Sequence, residues 1–131
     1  KNTNKNLFLN ENIPYAGLPK VMLKMDILTI PYTKIIKSGG GVDEISKYTS
    51  PLKLFDYLAC GKIIISSDLK VFREVINSRN AYFVKNYENI FEWKKNIKMA
   101  KNNKKKNLIM SINNFRLSKK YDHFKRVKRY I

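Results

Sequence analysis

Tyr48-Thr49-Ser50-Pro51-Leu52-Lys53-Leu54-Phe55-Asp56-Tyr57-Leu58-Ala59-Cys60-Gly61-Lys62-Ile63-Ile64-Ile65-Ser66-Ser67-Asp68 is the stretch on which the fold turns. It predicts a capped short helix, a glycine stop, a buried strand and a polar loop at the strand's carboxyl end. The Ser50 hydroxyl can accept from an orphan amide of the first helical turn, and Pro51 suits the first helical position, where its missing N–H is not needed. Leu52, Phe55 and Leu58/Ala59 recur at three- and four-residue spacing and predict the inward stripe, with Lys53, Asp56 and Tyr57 off it. Gly61 ends the helix. Lys62 to Ser66 is the short β-branched run of a parallel strand covered on both faces.

A helix beginning at Ser50 exposes free N–H groups and a partial positive charge, and Lys53 adds a full charge within the first turn, so a diphosphate can sit there. Asp56, one turn further on, accepts hydrogen bonds when ionised and can grip a pair of hydroxyls. Phosphate and diol together suggest a nucleotide or a nucleotide sugar. On spacing alone the segment is also readable as an ordinary Ser-Pro helix start that holds no ligand.

Working outward, Asn6 to Asn10 predicts a short strand, and Leu18, Val21, Met22 and Met25 predict a helix over Pro19 to Met25. Ile27 to Tyr32 is a second buried strand ending near Pro31. Thr33 to Tyr48 is a long polar loop whose Gly39-Gly40-Gly41 allows either close approach to a ligand or a flexible connection, and it carries no phosphate-loop pattern. Beyond the opening stretch, Leu69, Phe72, Val75 and Ile76 face inward on a helix over Asp68 to Ile76, with Asp68 a candidate cap. Ala81 to Val84 is a fourth strand. Strands alternating with helices, joined by right-handed crossovers, predict an α/β domain with a parallel, Rossmann-like sheet. The remainder predicts a helical tail. Ile90, Trp93 and Ile97, then Leu108, Ile109, Ile112 and Phe115, then Tyr121, Phe124, Val127 and Ile131 are read as core-facing stripes rather than stacking platforms for bases. His123 is read as a surface residue.

At 131 residues and 44% hydrophobic the chain fits one domain, residues 1–131. It starts at Lys1 without methionine and reaches Leu7-Phe8-Leu9 almost at once, which reads as a piece of a longer chain. The single cysteine, Cys60, excludes an internal disulfide and a cysteine metal cluster, so a reducing, cytoplasmic setting is expected. There is no signal-peptide pattern and no apolar run of membrane-spanning length. The net charge is +17, and residues 101–131 hold eleven Lys/Arg against the single acid Asp122. Such a tail attracts polyanions, meaning an anionic membrane surface or nucleic acid; solvated lysines in a Lys/Asn-rich composition are the bland alternative.

Ser50-Pro51-Leu52-Lys53-Leu54-Phe55-Asp56-Tyr57-Leu58-Ala59-Cys60-Gly61-Lys62, followed by Ile63 to Asp68 and by Phe72-Arg73-Glu74-Val75-Ile76, resembles the donor-binding segment of group 1 (family 4) glycosyltransferases of the GT-B fold. In that family the pattern runs roughly S-P-x-K-x-[FL]-E-Y-[ML]-A-x-G-K-P, then a strand ending in [ST]-[DN], then a helix with R-E-[VI]-[IL]. Asp26 to Tyr32 fits the family's D-x-x-[LV]-x-P-[SY], and Phe115-Arg116-Leu117-Ser118 resembles its ending. The resemblance extends from about Asn6 to Ile131. It implies part of the carboxyl-terminal nucleotide-sugar-binding domain, with the acceptor domain absent.

Carried over residue by residue, the resemblance implies that Asp56 binds the ribose hydroxyls, while Thr49, Ser50, Leu52 and Lys53 lie at the phosphate end. Two departures stand out. Asp56 is one methylene shorter than the family's Glu, and Tyr48 occupies the place of the first of two motif acids. Glu44 and Asp43 lie nearby and reach the sugar only if the loop folds differently, so Glu44 and Tyr48 are the candidate sugar contacts. No catalytic residue, metal or cofactor is assigned. The expected partners are a UDP- or GDP-type sugar donor, a glycan or lipid-linked acceptor and an anionic membrane surface at its inner face; no specific nucleic acid is expected. Transfer with retention would need both domains closing over the site, so this fragment alone is expected to be inactive. The rivals are a basic nucleic-acid-binding module and a degenerate interaction domain.

Overall fold

The computed structural model describes residues 6, 8, 13–33 and 52–121. A 3-10 turn, Tyr15–Gly17, leads into helix α1 (Leu18–Lys24) and strand β1 (Ile27–Ile30). Helix α2 (Leu52–Ala59), strand β2 (Ile63–Ser67), helix α3 (Lys70–Arg73) and strand β3 (Ala81–Val84) follow. Helices α4 (Ile90–Asn102) and α5 (Lys104–Ser118) complete the order, with a closing 3-10 turn over Lys119–Tyr121. The three strands form one parallel sheet in the order β1-β2-β3. The chain is thus an α/β domain with an open parallel sheet, flanked by helices and followed by a helical carboxyl-terminal part.

Register explains the layers. Leu28 pairs with Ile64, Ile64 with Ala81, and Ile30 with Ser66, so these residues share one face. Ile30, Ile64 and Ala81 pack there against Leu54 and Leu58 of α2 and against Leu69, Phe72 and Ile76 around α3. On the opposite face Ile65, Tyr82 and Val84 meet Ala100 of α4 and Met110 of α5, with Trp93 alongside. Thr29 of β1 is exposed, while Ile64 and Ser66, the neighbours of Ile65 in β2, are both fully buried. Full burial of each such Leu, Ile or Phe contributes about 1.5–3 kcal/mol, so the two clusters hold the layers without help from the short helices' own propensity.

Gly61 stops α2 by a definite geometry. Its φ is +60°, its N–H donates to the Leu58 carbonyl (3.0 Å), and the Lys62 N–H donates to the Tyr57 carbonyl (3.4 Å). That pair of bonds is a Schellman closure, which satisfies the helix's last carbonyls. Lys62 then reaches the end of α1, its ammonium donating to the Leu23 carbonyl at 2.7 Å. A cation at a helix carboxyl end is favourably placed against the dipole.

Helix α5 crosses the amino edge of the sheet, where strand-entry carbonyls need donors. Asn114, fully buried, donates to the carbonyls of Lys62 and Asn80 (both 2.9 Å) and accepts from the Asn80 side chain at 3.0 Å. Ser111 donates to the Gly61 carbonyl, and Tyr82 donates to Asn107 at 2.9 Å. Beyond that edge the chain returns along α2, where the Phe55 and Tyr121 rings lie 5.0 Å apart.

Several sequence expectations are corrected. The inward stripe of α2 is Leu54 and Leu58, with Phe55 half-buried; Leu52 is 69% exposed and Ala59 is exposed. The helix after β2 is only one turn long, and Asp68 does not cap it but pairs with Arg73. Ile90, Ile97, Leu108, Ile109, Ile112 and Phe115, expected in the core, are exposed. The reason is that α4 and α5 are apolar on two arcs, and packing against the sheet selects the arc carrying Ala100 and Met110. Of the expected first strand, Asn6 lies in a turn and Phe8, 80% exposed, in no regular element; Leu7, Leu9 and Asn10 lie outside the described residues. The stripe Phe124, Val127 and Ile131 lies outside them too, as does His123. No described helix is long and apolar enough to cross a membrane.

Candidate functional site

In a parallel α/β sheet the carboxyl ends of the strands, and the amino ends of the helices that follow them, form a common rim. Here the rim carries Pro31 and Tyr32 after β1, the first turns of α2, and Asp68 after β2. The Ser67 hydroxyl donates to the Ile30 carbonyl (3.3 Å) and the Asp68 N–H to the Val84 carbonyl (2.9 Å), so all three strand ends are tied together. The rim is a fixed platform rather than a set of separate loops.

Asp56 lies in the second turn of α2, partly buried, on the face opposite Leu54 and Leu58. The Tyr15 hydroxyl, from the turn that opens α1, donates to its Oδ1 at 3.2 Å. One turn nearer the helix start, the Lys53 ammonium lies 5.8 Å from the centre of the Tyr32 ring. Tyr32 is in turn packed on Phe72, with ring centres 5.7 Å apart. The result is a row of a cation over an aromatic face, a carboxylate, and a phenol. Lys53 and Asp56 are three residues apart and so emerge on neighbouring positions of the helix surface.

The Asp56 charge is felt by its neighbours. Its field, followed by the hydrogen bond, pushes the Tyr15 phenol above the ordinary tyrosine range. Burial first, then Tyr32 and then Asp56, raises the Tyr57 phenol, whose hydroxyl donates to the Thr29 carbonyl at 3.5 Å. Burial and then Asp56 push the Cys60 thiol up, with Lys62 opposing them. A thiol held neutral is a poor nucleophile, so Cys60 has no claim to covalent chemistry.

Chemically, the row can hold an anion beside Lys53 and accept two hydroxyl protons at Asp56, since an ionised carboxylate has room for several donors and Tyr15 uses one. A second rim feature is the Asp68–Arg73 pair. Arg73 donates through Nε to Oδ1 (2.6 Å) and through its terminal nitrogen to Oδ2 (2.9 Å), and its guanidinium lies 3.5 Å from the centre of the Phe83 ring. The Arg73 fork is committed to these partners and is best read as a brace for the β2–α3 turn.

Of the residues picked out in the sequence, Lys53 and Asp56 lie one turn apart on α2, Lys53 over Tyr32 and Asp56 against Tyr15. Leu52 is exposed at the helix start and offers a backbone amide but no buried side chain. Glu44, Tyr48, Thr49 and Ser50 lie outside the described residues, as do Asp43, Pro51 and the three-glycine loop. Tyr15 was not singled out in the sequence, and no local signal marks it: its link to Asp56 spans 41 positions. Tyr32 was within reach, because it ends the Asp26 to Tyr32 pattern. Among the described residues no group of three or more His, Cys, Asp or Glu is arranged to hold a metal ion. No protein-family model, curated protein or solved structure matches the chain.

Proposed function

We propose that the chain is the donor-binding part of a GT-B glycosyltransferase and holds a nucleoside-diphosphate sugar at the carboxyl rim of its sheet. The observation that carries this reading is the Asp56 carboxylate, partly buried and hydrogen-bonded by Tyr15, one turn inside a helix whose opening turn bears Lys53. Asp56 would take the ribose diol, and Lys53 with the amides at the start of α2 would take the diphosphate. Tyr32, with its ring packed on Phe72, offers a flat apolar wall next to that charge. Sugar transfer to a glycan or lipid-linked acceptor would further require a second domain to bring the acceptor hydroxyl to the anomeric carbon and exclude water.

Titration of the chain with UDP, GDP and their sugars tests the reading. Saturable binding of one nucleotide family, weakened by Asp56→Ala and by Lys53→Gln, is the expected result. No binding of any of them, or binding indifferent to both substitutions, sinks it. In the second case the rival is a degenerate interaction domain that has kept the α/β scaffold without the donor.

A further inference from the structure

Helix α5 turns an apolar ridge away from the core. Leu108, Ile109, Ile112 and Phe115 are 64%, 51%, 44% and 49% exposed, while Met110 and Asn114 point inward. Lys104, Lys105 and Arg116 are exposed on the same helix. An exposed apolar ridge flanked by cations offers both attractions that bind a helix to an anionic interface, apolar burial and charge.

Beside this ridge lie two open clefts of about 390 and 220 Å³. Arg79, Lys105, Lys106 and Asn103 line the first, and Arg79, Arg116, Lys120 and Asn77 the second, with Asn113 shared by both. Arg79, Lys105, Arg116 and Lys120 thus border them, with the Lys106 ammonium held 4.2 Å over the Tyr82 ring, and no acid lines either. The wider sequence is as one-sided: residues 93–121 contain ten Lys/Arg and no Asp or Glu. A second copy of this face would repel it. The ridge carries a single aromatic ring, Phe115, with the Lys119 ammonium 4.8 Å from its centre, and its other residues are aliphatic, so it offers no row of platforms for stacking nucleic-acid bases.

We propose that α5 and its two flanking clefts dock the protein on an anionic phospholipid bilayer. The ridge of Leu108, Ile109 and Ile112 enters the boundary between headgroups and acyl chains, and the cleft cations engage lipid phosphodiesters. The clefts lie at the amino edge of the sheet, next to Asn80 and Asn114, so the carboxyl rim stays open to water. None of these residues belongs to the rim, and the inference stands whether or not a nucleotide binds there.

Flotation of the whole chain with phosphatidylglycerol-rich and with pure phosphatidylcholine vesicles tests it. Binding to the first and not the second, weakening as salt is raised, is expected. At about 1 kcal/mol per cation near an anionic surface, Arg79→Gln/Lys105→Gln/Arg116→Gln lowers vesicle affinity about a hundredfold. Leu108→Ser/Ile112→Ser removes the ridge, with an expected loss of about tenfold or more, since apolar burial at the interface is worth ~0.8 kcal/mol per CH₂. All five residues are exposed, and circular dichroism of both variants should match the parent. Should the triple variant lose its fold, the ridge variant and the salt series decide alone. Absence of flotation overturns the proposal. So does tighter binding of an oligonucleotide that Leu108→Ser/Ile112→Ser leaves unchanged while vesicle binding is equally unaffected.

Discussion

The Tyr15 hydroxyl donates to Oδ1 of Asp56 at 3.2 Å, joining the turn that opens α1 to the middle of α2. The bond holds the carboxylate on the face of α2 opposite the buried Leu54 and Leu58. On the donor-binding reading proposed above, replacing Asp56 by Ala should remove the acceptor for a ribose diol while leaving the fold in place. Hydrogen bonds to a charged partner are worth about 1.5–3 kcal/mol, so nucleotide affinity should fall roughly ten- to a hundredfold. Isothermal titration of the parent and the variant with the same nucleotide checks this, and equal affinities would remove Asp56 from the site.

Asn114 is the most exacting polar position in the core. Its three hydrogen bonds serve two backbone carbonyls and the Asn80 amide, all at the crossing of α5 with the sheet's amino edge. Asn114→Ala strands these partners without solvent, at about 1–3 kcal/mol for each group left unsatisfied, and the domain should lose roughly 3 kcal/mol or more. Urea titration measures it; a loss under ~1 kcal/mol would mean that water replaces the amide.

At Gly61 the penalty for a side chain comes from the backbone and not from crowding. A Cβ there would meet the Phe115 Cβ and the Ser111 carbonyl oxygen at 3.5 Å, ordinary contact distances, but φ is +60°. Gly61→Ala should lower stability by about 1–2 kcal/mol, the usual penalty of a left-handed conformation for an L-residue. The urea midpoint should drop with an unchanged slope. An unaltered midpoint would contradict the helix stop described above.

The Asp68–Arg73 pair predicts an acid-sensitive contribution. The Arg73 hydrogen bonds hold the Asp68 carboxyl below its ordinary value, against a smaller opposing push from burial. A carboxyl depressed on folding stabilises above its unfolded pKa, and that stabilisation is lost as pH falls through the folded value. Parent and Asp68→Asn proteins should therefore differ in stability by a constant amount at neutral pH, and the gap should close at pH values below the ordinary aspartate range. A gap that persists into strong acid would show that shape, not charge, makes the contribution.

The tyrosines act at the other end of the pH scale. Burial raises the phenols of Tyr57 and Tyr82. A folded pKa above the unfolded one gives stability that is complete below the unfolded pKa and is lost as pH rises through the folded one. Thermal unfolding should accordingly move to lower temperature above the ordinary tyrosine range, and Tyr82→Phe should flatten that decline. At neutral pH the same variant gives up the Asn107 hydrogen bond, about 1 kcal/mol. An identical alkaline decline in the two proteins would contradict the shift at Tyr82.

Local sequence was enough for the strands Ile27–Ile30, Ile63–Ser67 and Ala81–Val84, for their parallel arrangement, and for the stop at Gly61. Short β-branched runs, turn residues and a glycine that alone tolerates φ > 0 each act within a few residues, so they can be read there. Tertiary structure decided which arc of each helix is inside. In α5 both Leu108, Ile112, Phe115 and Met110, Asn114, Leu117 obey helical spacing, and periodicity cannot rank two faces of the same period. The sheet's amino edge chose the second set because Asn114 supplies donors to carbonyls there. The contact of Tyr15 with Asp56 likewise arose only when the crossovers brought α1 beside α2, because a pairing across 41 positions leaves no mark on either local segment.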